Sequence, residues 1–248
     1  MPEGDTIAYA ANRIRPVLEG RVPEEIRAAR EPKWPERLGG RRVEGVETLG
    51  KHLFLNFDGG LVLHSHLGMV GSWTVLAHDR IGRRARLVIR VGERWVVQFG
   101  GPTLELLTAG RSRLIRGALG PDVLASEFDR DRFLRRLRAE DRTRPIGDAL
   151  LDQTTVAGIG NIWRAEGCWE AGVDPWRSVA RVADDEAFSI INAARPRMMR
   201  SAAEGPRRIR PRVYKRTGQP CRRCGTRIVA RGQGDANRTT YWCPGCQR

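Results

Sequence analysis

No stretch of this chain approaches the ~20 consecutive apolar residues that a bilayer span requires. Nor does any basic amphipathic helix carry the bulky apolar face of an interfacial anchor. The opening MPEGDTIAYAANRIR has acids at Glu3 and Asp5 and lacks the apolar core of a secretory signal, so a soluble, cytoplasmic protein is expected. No internal repeat is visible. Cysteine is scarce. There are five, four of them between Cys221 and Cys246, which excludes a disulfide framework spread through the fold and fits a reducing compartment. Acidic residues are also short, 29 against 44 Lys and Arg, giving a formal charge of +15 and a pI near 11.0. Such a field attracts polyanions, and with membrane anchors excluded the expected partner is nucleic acid.

What is present suffices for a folded protein. A 40% hydrophobic and 29% charged composition lies in the globular range rather than the disordered one. At 248 residues the chain has room for one or two domains and a small module. From Asp5 to Leu18, apolar Ile7, Ala10, Ala11, Ile14 and Leu18 recur at helical spacing, with Asp5 or Thr6 as the expected cap. Between Val43 and Leu107 the pattern changes to six short runs, VEGVETL, HLFLNF, LVLHSH, SWTVL, RLVIRV and RWVVQF, separated by Gly or Asp turns. That spacing predicts a β-sandwich or barrel.

After Gly120-Pro121 the pattern is helical. Helices are predicted in SEFDRDRFLRRLR with Ser126 as cap, in IGDALLDQT, in NIWRAEGCWEAG and in DDEAFSIINAARPRMMRSAA. Residues 205–223, rich in Pro, Arg, Lys and Gly, read as a basic linker. The expected class is α+β. A β-sandwich domain with a leading helix occupies 1–115, a helical domain 116–206 and a C-terminal four-cysteine finger 207–248.

Cys221-x2-Cys224, eighteen residues, then Cys243-x2-Cys246 is a spacing that closes tetrahedral coordination of one Zn2+ by four thiolates. Four sulfurs leave no open position, so the metal orders the finger and does no chemistry; two disulfides are the alternative. Between the pairs, Arg231 to Trp242 reads as a hairpin whose tip presents Arg238 to a phosphate, unless Arg238 is only one more solvated arginine. The break Ala157-Gly158-Ile159-Gly160 before Asn161 permits positive φ and close backbone approach. The helix amides after it form a ready phosphate site, although glycine breaks between helices are usually turns.

At the N-terminus, removal of Met1 leaves the secondary amine of Pro2. Such an amine attacks an aldehyde or a sugar C1′ and forms an iminium, with Glu3 beside it to move protons. Met-Pro-Glu also opens many ordinary proteins. His64 and His66 alternate on one strand without an evident carboxylate partner and read as structural. Cys168 reads as a packing residue.

Taken in order, MPEG, Gly50-Lys51 opening GKHLFLNF, LLDQTTVAGIGNIWRAE and the ending YWCPGCQ resemble the formamidopyrimidine-DNA glycosylase and endonuclease VIII family over nearly the whole chain. The helical domain is then a helix-two-turn-helix. The resemblance implies a bifunctional DNA glycosylase and AP lyase of base excision repair, working by Schiff base and β,δ-elimination. Pro2 is the nucleophile, Glu3 the proton donor and acceptor, and Lys51 contacts the phosphate near the lesion. Asn161 and Arg238 hold the phosphates flanking the flipped nucleotide. Met69, in HLGMVG, fills the void left in the stack, or else packs in the core.

The tail and the GKHLFLNF segment look closer to endonuclease VIII, which favours oxidised pyrimidines; HLGM looks like the formamidopyrimidine enzymes, which take oxidised purines. Where the family continues MPEG's pattern with Pro-Glu, this chain has Asp5-Thr6, which bears on the hydrogen bonding around Pro2 and Glu3. Damaged duplex DNA, or single-stranded or bubble DNA, is the expected partner of a monomer. A non-catalytic zinc-containing nucleic-acid-binding protein is the rival reading that charge and finger alone would support.

Overall fold

The computed structural model describes residues 2–248, whose contacts form two compact units meeting in sequence at Gly117 and Ala118. Removal of Met1 lies outside the described residues.

The first unit opens with α1 (Gly4–Leu18), whose apolar stripe of Ile7, Ala11, Ile14 and Leu18 is fully buried. The cap is not Asp5 or Thr6, as expected, but extended Glu3. Its backbone carbonyl accepts from the amides of Thr6 (3.0 Å) and Ile7 (3.1 Å), and this draws Asp5 into the first turn, where a carboxylate complements the helix dipole. There follow β1 (Glu25–Ala28), the short α2 (Trp34–Leu38), β2 (Val43–Leu49), β3 (His52–Phe57), β4 (Leu61–His66), β5 (Ser72–Leu76), β6 (Ala85–Val91), β7 (Arg94–Phe99) and β8 (Thr103–Thr108). They form two antiparallel sheets, ordered β1-β6-β7-β5 and β2-β3-β4-β8.

The six predicted runs are β2 to β7. β1 and β8 were not among them, because EIRA is too short to show a period and TLELLT alternates imperfectly. Their state comes from pairing with β6 and β4. Leu53, Leu55 and Leu63 of one sheet meet Leu87, Ile89 and Val96 of the other in a core that α1 completes. β3 reads as a nearly continuous apolar run because both its faces are covered. Phe54 points the other way, joining Val62, Leu107 and Ile115 of α3 (Ala109–Ala118), an arginine-rich helix with no sequence signature.

In the second unit α4 (Arg130–Ala139) is capped by Asp129, whose Oδ1 accepts the Arg132 amide at 2.8 Å. Ser126, the expected cap, lies three residues too early to reach that first turn. α5 (Ile146–Ala149), α6 (Asn161–Ala171) and α7 (Asp184–Glu204) enclose Phe133, Leu150, Ile159, Trp163, Ile190 and Met198. Cys168 is wholly buried among them, and burial pushes its thiol up to about 12, as suits a packing residue. α6 is covered on its remaining side by the finger, through Ala165 and Trp169 against Val213, Ile228 and Cys243.

Residues 205–223 are not a free linker. The buried carboxylate of Glu166 accepts from the amides of Arg212, Val213 and Tyr214 at 2.8 to 3.0 Å and pairs with Arg197 at 2.6 Å. Burying that charge is tolerable only because each lone pair is met. No helix of the described residues is long and apolar enough to cross a membrane.

Candidate active site and zinc centre

Pro2 is half-buried, separated from α1 only by its cap Glu3. Glu3 beside it is only 1% exposed, and Asp5, which stands in the family's usual Pro-Glu stretch, is 3% exposed. Two carboxyl groups are therefore withdrawn from solvent within a turn of Pro2. Lys51 occupies the second position of the two-residue turn joining β2 to β3, where Leu49 pairs with His52. Gly50 takes the first position with φ +57°, a conformation glycine adopts without strain. The turn thus places Lys51 at the end of the sheet.

Behind Lys51 lies a cluster the sequence did not reveal. His52 Nδ1 and His64 Nε2 are 2.8 Å apart, and His64 Nδ1 lies 2.8 Å from Glu105 Oε1, so a carboxylate partner does accompany the histidines, contrary to expectation. It comes from β8, the unpredicted strand, on which Glu105 is the cross-strand neighbour of His64. His52, which had not been singled out, stacks on His64 with ring centroids 5.1 Å apart. Burial first, then the positive or potentially positive His66, His64 and Lys51, hold His52 down at about 3. His66 is lowered by burial, Lys51 and His64 in that order. Both shifts favour the neutral form of these two rings beside Lys51.

Met69 is 60% exposed and Val70 85% exposed in the turn between β4 and β5, so Met69 does not pack in the core.

In the second unit the helix-two-turn-helix corner is held by Gln153, a residue without a sequence signal. Its Nε2 donates to the carbonyls of Leu151 (2.8 Å) and Ile159 (3.0 Å), and its Oε1 accepts the Gly158 amide at 3.0 Å. Gly158 takes φ +104°, as expected, whereas Gly160 is extended at φ −128° and caps α6. Asn161 is the first residue of that helix, 9% exposed. Its Nδ2 donates to the Thr239 carbonyl at 3.0 Å, and its Oδ1 accepts from Arg164 Nη2.

Fully buried Arg164 also donates to Thr239 O (3.0 Å) and to Gln233 Oε1 (3.1 Å), which in turn accepts from Thr240 Oγ1 (3.0 Å). Gln233 and Thr239 sit on the hairpin β9 (Val229–Gln233) and β10 (Arg238–Trp242). The network therefore fixes Arg238, an exposed residue at the start of β10, relative to Asn161. Neither Arg164 nor Gln233 was legible in the sequence, since a buried arginine looks no different there from a solvated one.

The four finger sulfurs lie within 4.8 Å of one another, with Cys221 and Cys246 3.8 Å apart and Cys224 and Cys243 3.4 Å apart. Zn–S bonds of about 2.3 Å in a tetrahedron place sulfurs about 3.8 Å apart. The donor set fits one zinc, and at these separations no disulfide joins the pairs. Trp169 Nε1 (3.3 Å) and the Arg223 amide (3.4 Å) point at Cys221 Sγ. Burial opposes ionisation of Cys221, but these donors outweigh it and bring the thiol to about 6. Burial and the neighbouring sulfurs push Cys246 up to about 12. Four thiolates in one space demand a cation, and Cys221, Cys224, Cys243 and Cys246 would hold structural Zn2+ without leaving a position for substrate.

Comparison with known proteins agrees. Family models described as the formamidopyrimidine-DNA glycosylase N-terminal domain, its H2TH domain, and the zinc finger found in FPG and IleRS match residues 1–103, 119–210 and 218–248. The chain is 39% identical over 262 residues to the probable endonuclease 8 2 of Streptomyces coelicolor, covering 100% of this chain and 94% of that one. It is 35% identical over 255 residues to the DNA-(apurinic or apyrimidinic site) lyase Nei2 of Mycolicibacterium smegmatis, covering 100% and 99%. The crystal structure of Lactococcus lactis Fpg with N7-benzyl-Fapy-dG-containing DNA superposes with a TM-score of 0.85 at 24% identity, covering 100% of both chains.

Fold, finger and sequence together define a bifunctional DNA glycosylase and AP lyase of base excision repair. The chain belongs to the formamidopyrimidine-DNA glycosylase and endonuclease VIII family, near its endonuclease VIII members.

Proposed function

We propose that the chain excises oxidised pyrimidines from DNA and cleaves the strand at the resulting site through a Schiff base on Pro2. The observation that carries this is the near-complete burial of the Glu3 carboxyl directly beside Pro2. An acid removed from water next to an amine nucleophile is placed to shuttle protons rather than to solvate the surface.

In the proposed sequence the Pro2 nitrogen forms a bond to C1′ as the bond to the base breaks, and the base leaves with a proton from the buried acid. The ring opens to an iminium. Loss of a C2′ proton expels the 3′ phosphate, a second elimination expels the 5′ phosphate, and water releases the sugar remnant from Pro2. Lys51 holds the phosphate next to the lesion. Asn161 and Arg238 hold flanking phosphates. The Asn161 amide has one hydrogen engaged by Thr239, and the other has no partner among the described residues. Met69, exposed on its turn, fills the space the extruded nucleotide leaves.

Pyrimidine lesions are favoured over oxidised purines because the GKHLFLNF and TTYWCPGCQ segments follow the endonuclease VIII pattern. The proposed division of labour is chemistry in 1–115, strand binding in 116–206 and the zinc-pinned hairpin in 207–248, in a cytoplasmic monomer.

Borohydride should trap the wild-type protein covalently on an oligonucleotide with an abasic site, and Pro2→Gly should reduce trapping at least a hundredfold. Among thymine glycol, dihydrouracil and 8-oxoguanine substrates, the two pyrimidines should be cut faster. DNA binding with no adduct would leave only a zinc-containing DNA-binding protein.

A further inference from the structure

Two connections cross between the sheets at one end of the sandwich. Residues 67–71 lead from β4 to β5, and residues 100–102 lead from β7 to β8. They lie against each other, since a Cβ on Gly71 would come within 2.9 Å of the Gly101 Cα. Strand register shows what else stands at that end. His52, His66 and Thr103 are partners in one sheet, and Ser72, Phe99 and Ala85 in the other. Lys51, one residue before His52, is thus at this end of the first sheet. Arg83 and Arg84, just before Ala85, are at the same end of the second. Met69 and Val70 occupy the crossover between them.

The second edge encloses a concavity of about 640 Å3, lined by Arg30, Arg83, Arg84 and Arg86 around Val70 and Phe99. Arg86 is anchored by donating to the Gly101 carbonyl. Arg30, Arg83 and Arg84 are exposed and make no ion pair or hydrogen bond among the described residues. Nearby Glu24 and Glu25 are engaged by Arg90 and Arg27, and Asp79 and Glu31 pair with none of the three. Unneutralised guanidinium groups sharing one hollow repel each other until an anion arrives. The volume falls in the range of ligand-sized sites, roughly 300 to 1,000 Å3, and exceeds what one phosphate fills. Its apolar floor suits sugar and base edges, while arginine forks grip phosphate oxygens in pairs.

We infer that this arginine-lined hollow grips the strand opposite the lesion. The inference rests on the proposed function. If Lys51 holds the lesion strand and Met69 enters the stack, the second backbone of the duplex falls on the sheet beyond the wedge, where the hollow lies.

The test is Arg83→Ala/Arg84→Ala, with circular dichroism to show folding, on an abasic-analogue duplex and on its lesion strand alone. Duplex affinity should fall roughly tenfold and its salt slope by about 2, while single-strand affinity and borohydride trapping on a single-stranded abasic oligonucleotide stay at wild-type level. R83K/R84K should restore the salt slope but not the full affinity. Equal losses on duplex and single strand would assign the hollow to the lesion strand, and no loss on either would remove it from the DNA interface; both overturn the inference. If the wild-type protein itself forms no adduct, the proposed function fails first, and the two failures are told apart.

Discussion

The side-chain amide of Asn161, at the first turn of α6, donates to the backbone carbonyl of Thr239 on the finger hairpin, 3.0 Å away across 78 residues of sequence. Arg238, next to Thr239, is thereby held in register with the helix N-terminus. Asn161→Ala removes one bond each from Arg164 and the Thr239 carbonyl, which still bond to each other, and should cost about 1 kcal/mol and weaken DNA binding. Asn161→Asp keeps the acceptor for Arg164 but adds a negative charge at the proposed phosphate. It should therefore match the alanine variant or better in thermal stability and bind DNA more weakly. Equal binding by the two would remove Asn161 from the phosphate contact.

Zinc controls the same register. One Zn2+ per chain is expected by metal analysis, and a strong chelator or Cys243→Ser should unfold the hairpin. The resulting loss of DNA affinity should exceed that of Asn161→Ala, because Gln233, Thr239 and Arg238 all lose their positions. Retention of wild-type DNA affinity after complete metal removal would contradict this role.

Glu166 is placed to hold residues 212–214 against α6. Glu166→Ala strands Arg197 and three backbone amides, and should cost about 3 to 5 kcal/mol, the range for breaking a buried ion pair. Limited proteolysis should then cut first between 205 and 216. A stability change under 1 kcal/mol would show that the interaction is dispensable.

Acid should destabilise the first unit through its histidines. His52 is held at about 3 in the fold against 6.5 for a free histidine, and His66 is also lowered. Above about pH 6.5 both are neutral whether folded or unfolded, and their environment carries no penalty. As pH falls below that value the unfolded chain binds protons that the folded one refuses. Stability should drop by up to about 1.4 kcal/mol per pH unit for each ring while the folded form stays neutral. The groups facing them, Lys51, His64 and Glu105, place two cation-forming side chains against one carboxylate. Urea midpoints at pH 7.5 and 5.5 should differ less in His52→Gln than in the wild type; equal differences would refute the assignment.

Much of this protein could be read from its residues in order, because the relevant signals are local. The period of α1, the six β runs, the glycine break before Asn161 and the cysteine spacing depend on neighbours a few positions away, and such patterns survive in a linear text. The family resemblance likewise rested on motifs of four to seventeen residues. What depended on distant partners was not visible. β1 and β8 are strands only because β6 and β4 offer them edges, and Glu105 reaches His64 only through the unpredicted β8. Gln153, Arg164 and Glu166 are buried and satisfied by groups that folding brings from elsewhere. The amino-acid order alone determined the zinc ligands and the sheet-forming runs, since each needs only residue type and short spacing. Tertiary structure alone decided which polar side chains are buried, which arginines stay unpaired and where Met69 stands, because burial and charge pairing belong to the three-dimensional neighbourhood and not to the residue.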